Sequence, residues 1–282
     1  MPVFDVHIHI HPLGMVKPAV GAAIERDLSP HFAEAFGSPD ALLRLLDSEG
    51  IDRACCITEV SPDVIGFTRE VNEWTVAFTR GHRDRLIATG SVNPRFETDT
   101  AGEITRVLDL GVGLVKVHPP HQLFTANAYR YELPQLAEIY RACAERGVPV
   151  MIHTGTSVFP GARNVYADPM PVDDVAVDFP TLRILVAHAG RPLYGETAFF
   201  LARRHPNVFI DISGIPPNSL TSYFPRLPQI VDKVLWGTDW PSPGVRSPKK
   251  NLEQFLAIGY GEAIEQKVLW ENASRLFPAV PS

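Results

Sequence analysis

Short apolar runs alternate along the chain with amphipathic stretches at helical spacing. The first run, Phe4-Asp5-Val6-His7-Ile8-His9-Ile10-His11-Pro12, switches between apolar and polar at every position, the period of a strand. On that reading Asp5, His7 and His9 share one face, and Val6, Ile8 and Ile10 the other. Apolar residues on the second face suggest burial, and buried imidazoles need partners. Residues 12–37 are rich in Pro and Gly and follow no single period, so they are expected as a long loop of the kind that covers a site. Ser38-Pro39 then supplies a helix N-cap and first-turn proline, Leu42, Leu45 and Leu46 line one face, and Gly50 ends the helix.

The rhythm continues as β then α. Strands are expected at 53–58, 86–92, 113–118, 150–153, 183–188, 208–211 and 234–237. Helices are expected at 72–81, 98–110, 172–179, 194–204 and 248–258, with another carried by Leu133, Leu136, Ala137, Tyr140 and Ala144 and stopped by Gly147 and Pro149. Pro216, Pro217, Pro225 and Pro228 make any seventh helix short or irregular. A terminal helical section over 262–277 is expected to pack on the outside.

Apolar strands separated by crossovers of helix length are the mark of parallel strands covered on both faces. A single (β/α)8 TIM barrel over residues 1–282 fits best. The alternative, a doubly wound open sheet, lacks a Gly-x-Gly-x-x-Gly after an early strand.

Composition narrows the function classes. A net charge of −6 with no basic run argues against nucleic acid or an anionic membrane as the partner. With no run of about 18 apolar residues and no signal-like start, a cytoplasmic location is the expectation. Cys55, Cys56 and Cys143 are odd in number and lack a Cys-x-x-Cys, so they are expected as reduced, buried thiols.

Barrel enzymes build their sites at the carboxyl ends of the strands. Here those ends carry His7 and His9, His118, His153, His188, Asp211-Ile-Ser213 and Asp239. One such histidine reads as a satisfied core residue, but repetition at successive strand ends favours a site. Imidazoles with one carboxylate suit zinc, iron or manganese. A metal bound by His7, His9, His153 and Asp239 lowers the pKa of a coordinated water toward roughly 7, and Asp239 can take its proton. His188 is then free to hydrogen-bond the hydroxide or to polarise an acyl group.

Seven motifs carry a resemblance: Asp5-Val-His-Ile-His9, Val117-His-Pro-Pro120, Ile152-His-Thr-Gly155, Ala187-His-Ala-Gly190, Asp211-Ile-Ser-Gly214, Gly237-Thr-Asp-Trp-Pro241 and Asn272-Ala-Ser-Arg-Leu-Phe277. Their order and spacing resemble the amidohydrolase superfamily, in its amidohydrolase-related branch of aminocarboxymuconate-semialdehyde decarboxylase, resorcylate-type decarboxylases and dicarboxylate lactonases. The resemblance implies His7, His9, His153 and Asp239 as ligands of one divalent metal, zinc first with Mn2+ or Fe2+ accepted, and His188 as catalytic. Two-metal members of the superfamily carry a carboxylated lysine on the fourth strand, where Lys116 stands. The Lys-x-His-Pro pattern resembles the one-metal branch, which makes Lys116 a substrate or network cation beside His118. Arg191 and Arg163 are candidates for binding a substrate carboxylate.

These readings predict metal-dependent hydrolysis of a small acyl, lactone or amide substrate, carboxylated in keeping with the branch. Non-oxidative decarboxylation in the same site is the alternative, and a non-catalytic metal- or ligand-binding barrel the third reading. The partner expected is a small molecule; the sequence leaves a homo-oligomer open.

Overall fold

The structure is a computed structural model and describes residues 1–27, 30–242 and 244–278. Among them, eight parallel strands follow one another in chain order around one sheet. These are β1 (Phe4–His9), β2 (Arg53–Ile57), β3 (Leu86–Gly90), β4 (Leu114–Val117), β5 (Val150–His153), β6 (Ile184–Ala187), β7 (Val208–Asp211) and β8 (Val234–Leu235). The seam between the last strand and the first is joined by Val6 N–H to Trp236 O (3.2 Å) and His9 N–H to Trp240 O (2.7 Å), so the sheet is a TIM barrel.

Two apolar layers hold it. Ile8, Cys56, Val117, Ile152, Val186 and Ile210 face outward under the helices. Cys55, Ile87, Leu114, Met151, Leu185 and Leu235 fill the interior. Helix signals at several termini act as read: the Ser38 hydroxyl accepts the Ala41 N–H, and Gly50 ends that helix at φ 77°, where a side chain would be strained. All three cysteines are buried free thiols. No helix among the described residues is long and apolar enough to cross a membrane.

Three expectations need correction. Strict alternation in β1 fails, because the pairing with β2 shifts register between Asp5 and Ile8. Phe4 and Val6 therefore join the interior layer while Ile8 joins the outer one. The connection over 12–37 is not an open loop. It carries helices Pro18–Asp27 and Pro30–Gly37, each begun by a proline suited to a first turn; residues 28 and 29 lie outside the described residues. Finally, the terminal helical section does not lie on the barrel's flank. Ala273, Leu276 and Phe277 join the interior cluster, and Phe277 packs 5.8 Å from the Phe4 ring at the start of β1. Arg53 and Arg183, at or just before strand starts, donate to the carbonyls of Phe277 and Leu276 at 3.1 and 3.0 Å. The section stoppers the amino-terminal end of the barrel, leaving the carboxyl end open.

Candidate metal centre and active site

His7, His9 and Asp239 meet at the open end. His9 Nε2 lies 3.1 Å and His7 Nε2 3.6 Å from Asp239 Oδ1, and the donor atoms of the three lie within 4.8 Å of one another. His7 is fixed from behind: its Nδ1 lies 2.6 Å from Asp211 Oδ2 and 3.1 Å from Ser213 Oγ. The carboxylate accepts a hydrogen bond from Nδ1–H, so the proton stays on Nδ1 and Nε2 keeps its lone pair outward. That buried nitrogen has no hydrogen-bond partner.

Asp239 is placed by backbone constraints. Its N–H donates to His7 O at 2.8 Å, and the next residue upstream, Thr238, donates its N–H and hydroxyl to Asp5 at 2.9 and 2.6 Å. Asp5, expected on the histidine face, thus fastens β1 to the end of β8. Burial outweighs those hydrogen bonds and raises its carboxyl to about 7. Both Asp239 (φ 64°) and His188 (φ 66°) adopt the left-handed conformation that non-glycine residues rarely take. A Cβ at Gly237 would stand 3.0 Å from both His7 Cβ and Asp211 Oδ1, so any larger residue there would press on the His7–Asp211 pair.

His188 packs its ring 4.7 Å from that of His7 and donates from Nδ1 to Ser213 O at 3.1 Å. A carbonyl only accepts, so the neutral ring carries its proton on Nδ1 and its lone pair on Nε2. His153 packs edge-on to His188 at 4.7 Å, stacks on His118 at 3.8 Å, and commits its Nε2 to Gly155 O at 3.1 Å. Three of the four expected ligands therefore converge. His153 is not within that group, and its Nε2 faces the Gly155 carbonyl.

Burial drives the protonation states. It lowers the pKa of His7, His118, His153 and His188, keeping neutral rings able to bind a cation. Burial alone would raise Asp239, but His188, the His9 hydrogen bond and His7 outweigh it and hold this carboxyl well below the usual carboxylate range.

Above the centre opens a cavity of about 850 Å³. His118 and Arg191 line it, together with Arg246 and Lys250. Arg191 donates from Nη2 to Asp239 Oδ2 (3.0 Å) and from Nη1 to Thr156 O (3.1 Å), while its buried Nε has no partner. The other two expected substrate contacts do not line the cavity. Arg163 stands exposed on the loop. Lys116 is fully buried within the barrel against Met151 Sδ at 3.2 Å, because its strand position points into the interior. Burial lowers its ammonium to about 8, against the pull of Glu59, Asp211 and Asp239. Sequence reasoning missed Glu59, His121 and Ser157 as cavity residues; Glu59 stands two residues past the end of the second strand, and His121 follows His118 by one helical turn.

An unpartnered, oriented imidazole beside a second imidazole and an ionised carboxylate is a donor set that fits a divalent metal. The amidohydrolase family model matches residues 4–279. The chain belongs to the amidohydrolase family. Members of this family generally bind a divalent metal, and this amidohydrolase is an enzyme. It is 31% identical over 78 residues to 4-sulfomuconolactone hydrolase of Rhizobium radiobacter, a match that spans 25% of this chain and 26% of that enzyme. An uncharacterised TIM-barrel protein of Bordetella bronchiseptica shares the fold at a TM-score of 0.76, with 21% identity and 98% of each chain covered. A probable 2-pyrone-4,6-dicarboxylic acid hydrolase of Acinetobacter baumannii, with citric acid bound, does so at 0.68, with 15% identity, covering 98% of this amidohydrolase and 99% of that chain. So does a 5-carboxyvanillate decarboxylase of Novosphingobium aromaticivorans complexed with manganese and 4-hydroxy-3-methoxy-5-nitrobenzoic acid (TM-score 0.64, 16% identity, 98% and 96% covered).

Proposed function

We propose that this amidohydrolase is a metal-dependent hydrolase of a small carboxylated acyl compound, a lactone foremost and otherwise an ester or amide, acting as a cytoplasmic enzyme on a free small molecule. The observation that carries the reading is the convergence of His7 Nε2, His9 Nε2 and Asp239 Oδ1 beneath a cavity with cationic side chains on its wall. His7, His9 and Asp239 would hold the ion, and zinc suits this nitrogen and oxygen donor set. When bound, such an ion supplies Lewis acidity that polarises a substrate carbonyl or a water.

The chain's own groups do the rest. Asp239, ionised, accepts the proton of an attacking water on its carboxylate. The lone pair on His188 Nε2 orients that water by accepting its second hydrogen. This tautomer supports the hydroxide-orienting role for His188 over the donor role at an acyl oxygen. The partly exposed guanidinium of Arg191, with Arg246 and Lys250, offers hydrogen bonds to a substrate carboxylate.

Decarboxylation is the second reading, favoured by the shared fold with 5-carboxyvanillate decarboxylase. A screen of lactones and aromatic acids in oxygen-18 water separates the two. Hydrolysis places the label in a new carboxylate. Unlabelled carbon dioxide with solvent hydrogen at carbon, and no labelled acid, would establish the lyase instead.

A further inference from the structure

A second constellation faces the same cavity. Glu59 Oε1 lies 2.9 Å from Nδ1 of His121, and Nε2 of His121 lies 2.7 Å from Oγ of Ser157. All three residues line the cavity, with Glu59 and His121 buried and Ser157 partly open to it. From these contacts we infer that Ser157, His121 and Glu59 form a metal-independent acyl-transfer centre, with Ser157 as nucleophile toward small esters that carry a good leaving group.

The atoms match the roles. A carboxylate on Nδ1 fixes the tautomer with the lone pair on Nε2, the nitrogen that faces the hydroxyl. Burial would raise the Glu59 carboxyl, but the hydrogen bond from His121 outweighs it and holds the group down at about 2, so it is ionised at neutral pH. The Ser157 oxygen accepts the Phe159 N–H at 3.3 Å, which leaves its own hydrogen for His121. The imidazole plane is clamped by His118, stacked at 3.5 Å and 9°, and by the edge of Phe159 at 5.4 Å. The serine is held too: its N–H donates to Asn164 Oδ1 at 2.8 Å, and Asn164 Nδ2 donates to its carbonyl at 3.1 Å.

Acyl transfer balances with these groups and water alone. Oγ bonds to the ester carbonyl carbon as its proton moves to His121 Nε2. The bond from carbon to the leaving oxygen breaks, and that oxygen takes the proton from Nε2. A water then cleaves the acyl-serine ester by the same route, releasing the acid and restoring the hydroxyl. Glu59, His118 and His121 also have donor atoms within 4.8 Å, the spacing of a metal site. Both nitrogens of His121 are already engaged, which favours the triad over an ion.

The test uses purified protein, as isolated and after chelation, incubated with diisopropyl fluorophosphate and read by peptide mass spectrometry. The Oγ–P bond forms, the P–F bond breaks, fluoride departs and the hydroxyl proton leaves through His121. A single adduct on Ser157 is expected with or without metal. It is expected to be absent in Ser157→Ala and to form about 10²-fold more slowly in His121→Gln, with Glu59→Gln intermediate. No adduct on Ser157, or equal labelling rates in wild type and in both folded relay variants, overturns the inference. So does a second bound zinc that His121→Gln removes. Because labelling needs neither the metal nor turnover, its failure is distinct from failure of the proposed hydrolase reaction.

Discussion

Asp211 and His7 form a fully buried pair, with Oδ2 of one 2.6 Å from Nδ1 of the other. The pair determines which imidazole nitrogen faces Asp239, so Asp211 would act on a bound metal through His7. Asp211→Ala is expected to weaken zinc binding by about 10- to 100-fold, as measured by chelator competition. Unchanged affinity in a folded variant would show that His7 does not depend on the carboxylate for its orientation.

His188 is expected to act beside the metal. His188→Gln should keep metal content near that of wild type while lowering turnover by about 10²-fold or more. Metal content by inductively coupled plasma mass spectrometry, taken alongside kcat, checks this. Parallel loss of metal would make His188 a ligand.

Much of this architecture was legible because period and punctuation agree. The β2 to β7 runs are mostly apolar, and those of β4 to β7 have a histidine or carboxylate just where the run ends. What escaped notice depends on contacts distant in sequence. The irregularity in β1 comes from its pairing with β2, and no local pattern announces it. Phe277 reads as one face of a surface helix until Phe4 is known to lie opposite it. Lys116 shares its strand face with His118, yet depth along the barrel puts one below the cavity floor and the other on its wall. The partner of His121 is 62 positions away.

The stopper at the amino-terminal end can be weighed by truncation. Phe277 is only 4% exposed, and Phe277→Ala is expected to cost about 3–5 kcal/mol in urea unfolding. A change below about 1 kcal/mol would mean that the end section packs only loosely.

Glu59 predicts an acid dependence of stability. Its carboxyl titrates at about 2 in the folded chain against an ordinary value of 4.5. Between those values the unfolded chain binds the extra proton, so the contribution is present above about pH 4.5 and is lost as pH falls toward about 2. Urea midpoints across this window should fall less steeply for Glu59→Gln than for wild type. Parallel curves would place the Glu59 pKa near its ordinary value.

The central claim is that His7, His9 and Asp239 hold one divalent ion on which the reaction depends. Its most direct measurement is metal content per folded chain, by inductively coupled plasma mass spectrometry, for wild type, His9→Ala and Asp239→Asn. About one equivalent is expected in wild type and little in either variant, with circular dichroism unchanged. Full metal content in both folded variants, or two tightly held equivalents in wild type with a carboxylated Lys116, would contradict the account.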